Sequence, residues 1–230
     1  MTTLSCRFLG RVPYARASEL QERLVAARRS GEAPDTLLLL EHPPVVTLGR
    51  GAHTENLLLD AAALSARGIE VHEAGRGGDV TFHGPGQLVG YPVVALLGAR
   101  RDAHRYLRDL EEGLLGAVEE LGVRGSRVPG LTGVWAGGNK LAAIGVRIGT
   151  GWITSHGFAL NVGDDLSGFE TIVPCGIRGR GVTSLARETG AACELESVAR
   201  VTASHVAKAL GLAAVWDGTI SSPSARRESA

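Results

Sequence analysis

Between residues 102 and 162 the hydrophobic pattern changes period, and that change constrains the fold more than any other feature of the chain. Leu107, Leu110, Leu114, Val118 and Leu121 recur at helical spacing and form one apolar stripe, with Arg105, Arg108, Asp109, Glu111 and Glu119 expected mostly off it. From residue 130 to 162 the texture becomes glycine-punctuated runs of Val, Ile and Thr, which predicts consecutive short antiparallel strands joined by tight turns. Elsewhere too, strands and helices interleave irregularly along the chain. The chain therefore reads as α/β or α+β, a mixed sheet with flanking helices.

Other elements follow the same logic. Leu20, Leu24 and Ala27 predict a helix over residues 17–27, with Ser18 as its cap and Gly31 beyond its end. Residues 36–40 form a buried strand that Pro43 and Pro44 must stop, and 45–48 resume extended structure. A last core helix is expected over 197–210. The 230 residues suffice for one well-buried core, so residues 1–220 are read as a single domain and the polar segment 221–230 as a disordered tail.

Composition excludes several classes. Basic and acidic residues balance at 24 each, which argues against a nucleic-acid footprint or a polybasic membrane anchor. No stretch approaches the roughly 18 uninterrupted apolar residues of a membrane span, and the start has no cationic leader, so a cytoplasmic protein is expected. Cys6, Cys175 and Cys193 are an odd number without a CxxC pair, which fits a reducing compartment. The seven histidines are scattered without ligand spacing, so no metal is expected. Residues 133–140 resemble a phosphate loop at a glance, but Lys140 does not directly follow Gly138 and precedes Leu141 where Ser or Thr is required.

Three features carry chemistry. Gly75, Gly77, Gly78, Gly84, Gly86 and Gly90 cluster around Asp79 and His83, where backbone amides could wrap a substrate or merely turn between strands. Cys175 lies between Pro174 and Gly176, a setting that presents sulfur on a bend as a nucleophile requires; the alternative is a packing cysteine. Cys6 in a first strand and Cys193 in a polar loop read as packing or incidental. Lys140 enters a strand, a place where lysines are usually solvated. If it faced Cys175, its charge would favour the thiolate.

Five motifs taken in order carry a resemblance to a known family. They are RGGDVTFHGPGQLVGYP at 76–92, TGVW at 132–135, KLAAIGV at 140–146, HGFALN at 156–161, and PCGI at 174–177 with GVTSL at 181–185. Together they resemble the lipoyl(octanoyl) transferases. That resemblance implies the fold of the biotin and lipoate protein ligase catalytic domain, with Cys175 as the acyl-accepting nucleophile and Lys140 as its activator and proton carrier. It implies substrate binding by Arg76, Gly77, Gly78, Asp79, Val80, Thr81, Phe82 and His83, by Ala143, Ile144 and Gly145, and by Gly157, Phe158 and Ala159. His156 is carried as a supporting residue, and the roles of both histidines stay open. The implied donor is octanoyl-acyl carrier protein. The implied acceptors are lipoyl domains of 2-oxoacid dehydrogenases and glycine cleavage H protein, with no cofactor and no ATP. Arg178 and Arg180 suit an acidic carrier or a solvated loop equally. An ATP-dependent lipoate or biotin ligase and a non-catalytic acyl-carrier-binding module are the competing readings, and the presence of both Cys175 and Lys140 favours the transferase.

Overall fold

The computed structural model describes residues 2–177 and 179–217, and of Cys175 the backbone alone. In chain order the elements are β1 (Thr3–Arg11), α1 (Tyr14–Ser30), β2 (Thr36–Glu41), β3 (Val45–Leu48), α2 (Ala61–Ala66), β4 (Glu70–Glu73), β5 (Val80–His83), β6 (Gln87–Val93) and α3 (Ala103–Glu120). There follow β7 (Ser126–Val128), β8 (Leu131–Ala136), β9 (Asn139–Ile148), β10 (Thr154–Asn161), α4 (Leu185–Thr189), α5 (Leu195–Ala209) and β11 (Ala213–Trp216). An eight-stranded sheet runs β11-β1-β2-β6-β10-β9-β8-β7, and a three-stranded sheet runs β4-β3-β5. Pairings of β1 with β11 and β2 are parallel and those from β2 to β7 antiparallel, so the sheet is mixed as expected.

Alternation along β2 shows how the layers form, because successive side chains point to opposite faces. Leu37 and Leu39 join Leu88, Phe158 and Leu160 against α3 and α5. Leu38 and Leu40 face the other way, joining Val89, Tyr91 and Ala159 with Ala17, Leu20 and Leu24 of α1. Residue 36–40 periodicity looked uniformly apolar because both faces are covered. The small sheet and α2 form a third cluster around Val46, Leu64, Ile69, Val80 and Ile172.

The ends of elements correct the sequence reading in detail. α1 starts at Tyr14 with Pro13 in the cap position, so Ser18 is interior to the helix and caps nothing; Gly31 does end it. α3 begins where expected, since the Asp102 carboxylate accepts from the His104 and Arg105 amides. Glu111, read as off the apolar stripe, is instead fully buried: it accepts from Gly133 N at 3.0 Å and Arg127 Nε at 3.1 Å, and pairs with Arg108. α5 starts two residues early because Glu194 caps it. The 130–162 strands are longer than expected, with ten residues in β9 and eight in β10. The expected tail at 221–230 lies outside the described residues, as does Arg178.

Candidate active site

A cavity of about 380 Å³ opens between the two sheets and beside the start of α1. Its floor comes from β9 and β10, through Lys140, Ala143 to Val146 and His156 to Ala159; its roof is the 76–83 segment; and Tyr14 closes one side. Of the sequence-predicted residues, Arg76, Gly77, Gly78, Asp79, Thr81, His83, Lys140, Ala143, Ile144, Gly145, His156, Gly157, Phe158 and Ala159 all line it. Val80 and Phe82 do not. Strand alternation in β5 sends Thr81 and His83 to the cavity and turns Val80 and Phe82 into the small-sheet core, where Phe82 meets Phe169 edge-on.

Arg76 shapes the roof from within. Its guanidinium donates to Thr47 Oγ1 and the Thr47 carbonyl from Nη2, and to the carbonyls of Gly77 and Asp79 from Nη1. These contacts hold the glycine loop in one shape over the cavity.

The tautomer of His83 follows from a chain of amide groups anchored on backbone carbonyls, which can only accept. Asn161 Nδ2 donates to the Thr183 carbonyl, so Asn161 Oδ1 accepts from Gln87 Nε2, which also reaches the Phe82 carbonyl. Gln87 Oε1 therefore accepts, and His83 Nδ1 donates to it at 2.7 Å. Burial, aided by the neighbouring His42, pushes the imidazole down to about 3, so the ring is neutral with its lone pair on Nε2. On the cavity lining, this ring is therefore able to act as a hydrogen-bond acceptor through Nε2. Behind it, His42 donates from Nδ1 to the Val12 carbonyl and accepts from Tyr91 Oη at 2.8 Å.

At one end of the cavity lies Lys140, only 7 % exposed, which removes the solvated reading of this residue. Its ammonium sits 4.9 Å from the Trp135 ring centroid, and the Arg180 guanidinium lies 5.4 Å from the same ring. Main-chain bonds from Lys140 N to Gly181 O and from Thr183 N to Lys140 O tie it to the 181–183 segment. Pro174 and Lys140 bound one small recess, and Ile177 lines the main cavity, so the turn Pro174–Gly176 borders the lysine's end of the site. That turn is braced from outside. Asp79 accepts from Val80 N, His53 N and Asn56 Nδ2, and the Asn56 carbonyl accepts from Val173 N at 2.8 Å. Gly176 has φ +66 and lies so close to Asp79 that a Cβ would stand 2.8 Å from its carboxylate. Only glycine fits this turn.

The lipoyl protein ligase A/B catalytic domain family matches residues 13–207. An octanoyltransferase of Rubrobacter xylanophilus is 56 % identical over 206 residues, covering 89 % of this chain and 92 % of that protein. The chain belongs to the octanoyltransferase family. Among solved structures, the bi-partite lipoate protein ligase of Thermoplasma acidophilum superposes with a TM-score of 0.72 at 15 % identity, over 94 % of this chain and 87 % of that one. The biotin protein ligase of Aquifex aeolicus gives 0.52 at 16 % identity, over 92 % and 70 %. The family's fold is thus that of the lipoate and biotin ligase catalytic domains.

For a member of this family, the sequence reading omitted several residues now found at the site. Gln87, Tyr91 and Asn161 sit inside the recognised motifs but had no assigned role; Tyr91 bonds His42, Gln87 bonds His83, and Asn161 orients Gln87. Tyr14, Thr47 and Asn56 come from a helix start, a strand and a loop with no distinguishing pattern, and only the fold brings them in. No cluster of three His, Cys, Asp or Glu side chains suited to a metal occurs among the described residues, and none of their helices is long and apolar enough to cross a membrane.

Proposed function

We propose that this octanoyltransferase moves its acyl group from octanoyl-acyl carrier protein to a lysine of a lipoyl domain through a thioester on Cys175. The observation that supports this most is the placement of the Cys175 turn beside Lys140 at one end of a cavity whose floor includes Ala143, Gly145, Gly157 and Ala159. A thin acyl chain lies against backbone where side chains are small.

In the first half-reaction the Cys175 thiolate attacks the donor thioester carbonyl, and the carrier's thiolate leaves. One thioester replaces another, so no ATP is consumed. Lys140 stabilises the thiolate by its positive charge and then hands a proton to the departing sulfur. In the second half the neutral ε-amine of the acceptor lysine attacks the Cys175 thioester carbonyl. The C–N bond forms, the C–S bond breaks, and the amine's proton passes to Lys140. His83 Nε2 accepts a hydrogen bond from the attacking amine and directs its lone pair at the carbonyl. An amide replaces a thioester, which drives the cycle forward. Acceptors are lipoyl domains of 2-oxoacid dehydrogenases and the glycine cleavage H protein, and the reaction takes place in the cytoplasm without a cofactor.

The test is intact mass after incubation with octanoyl-acyl carrier protein in the absence of ATP. An octanoyl increment that hydroxylamine removes, present in the native chain and absent from Cys175→Ala, is expected. Lys140→Met should slow its formation by about 10²-fold or more, the scale of a lost proton-transfer group. No adduct on the native chain, with octanoyl-AMP produced once ATP and octanoate are added, would replace this reading with an adenylating ligase.

A further inference from the structure

Behind the cavity lies a second groove of about 370 Å³, between α1 and the β9–β10 hairpin, lined among others by Ser18, Gln21, Arg29, Arg147 and Ser155. Of the residues lining the two spaces, His156 alone belongs to both. It is also one of two non-glycine residues with positive φ among those described, at +55°. The β9–β10 register runs unbroken from Thr154 to Leu160, so this is no bulge. Strict alternation would put His156 on the face of Phe158 and Leu160, towards α3 and α5. The left-handed backbone instead brings its ring edge-on to Tyr91, on the α1 side, with centroids 6.3 Å apart. Gln21 holds it there, since Gln21 Oε1 accepts the His156 amide at 2.8 Å. A strained backbone persists only where its surroundings impose it, and here a buried glutamine does so.

We propose that His156 is the end wall of the acyl cavity and sets the length of chain the site accepts. The proposal rests on the octanoyl-transfer reading, which makes an acyl chain the occupant. Lys140 and Val146 stand six residues apart on β9, and Val146 pairs with His156, so the floor spans roughly 20 Å from the reacting end to the wall. The lysine side chain and the imidazole each take up part of that length, leaving room for a medium chain. Past the wall lies the groove, where Val25, Ala26 and Ile153 offer apolar surface between Arg29, Arg147 and Glu22, so it is the ring that ends the chain. Removing the ring should both lengthen the cavity and join it to the groove.

Chain-length dependence of binding tests this without any reaction. Free octanoate, decanoate and dodecanoate are titrated into the native chain and into His156→Gly by calorimetry. Glycine takes φ +55 without strain, so the variant should fold; His156→Asn, smaller and tolerant of left-handed backbone, serves if it does not. In an open-ended apolar pocket each added methylene tightens binding about fourfold. The native chain should stop gaining at octanoate, whereas the variant should bind dodecanoate at least tenfold more tightly than octanoate. A native chain whose affinity keeps climbing through dodecanoate overturns the proposal, as does a folded variant with the native cut-off. Because free acids do not acylate Cys175, a missing octanoyl adduct in the mass experiment would count against the thioester route and leave the wall to be judged on binding alone.

Discussion

At the scale of single residues, the site combines groups of two kinds. Cys175 and Lys140 stand out in the sequence because a thiol between proline and glycine, and a lysine after a glycine turn, are unusual, and motif order ties them together. The groups that support them are common residue types without a pattern. Asn56 is one: its side chain donates to Asp79 while its carbonyl receives Val173 N, so it braces the turn Pro174–Gly176. Asn56→Ala should lower kcat for octanoyl transfer about tenfold with little change in KM for the carrier, measured by steady-state assay. An equal loss in both constants would point to general distortion. His83 makes a different prediction. Its ring titrates near 6.5 in the unfolded chain and at about 3 when folded, with His156 at about 4 adding to the effect. Between those limits the unfolded chain binds a proton that the folded chain refuses. Stability is therefore complete above about pH 6.5 and falls as pH drops toward 3, at up to about 1.4 kcal/mol per pH unit for each group. Urea unfolding at pH 7 and pH 5 should show a smaller acid loss in His83→Gln than in the native chain.

At the scale of elements, period and caps carried most of the information. α3 was legible to within a residue at each end, because its stripe and Asp102 agree. α1 was read short: Pro13 and Tyr14 give no side-chain cap, and proline sets the first turn by its own fixed φ. Glu111 was misread because a charged residue beside an apolar stripe usually faces water. Here β7 and β8 cover that side of the helix and supply Arg127 and the Gly133 amide as partners. Glu111→Ala would bury an amide with no acceptor and leave two arginines without their shared partner. A loss of about 3 kcal/mol in urea unfolding is expected, against a change within about 0.5 kcal/mol for the exposed Glu196→Ala. The exposed pair Arg200–Glu196 lies on α5 at four-residue spacing and has water to replace it.

On the scale of the whole molecule, the large sheet is closed at one edge by a strand from the far end of the chain. β11 pairs in parallel with β1, Thr3 opposite Ala213 through Cys6 opposite Trp216, and Asp217 accepts from Ser5 Oγ and Arg7 Nε. Truncation after Leu212 uncovers the β1 edge, so a lower melting temperature and light-scattering aggregates on heating are expected. Strand order elsewhere is just as non-local: β6 lies between β2 and β10, and no feature of those segments announces their neighbours.

The sequence by itself determined the α/β class, the stripe and extent of α3, the strand group that follows it, and the residue types able to do acyl-transfer chemistry. These depend on local backbone preference and on the period of apolar residues, which any window of the chain displays. Only the tertiary structure decided that the Cys175 turn borders Lys140, that Val80 and Phe82 turn away from the cavity while Thr81 and His83 face it, and that His156 stands between two spaces. Each of those outcomes rests on which strands pair and in which register. Register is set by the joint burial of faces far apart in the chain, with one residue's shift reversing every side chain.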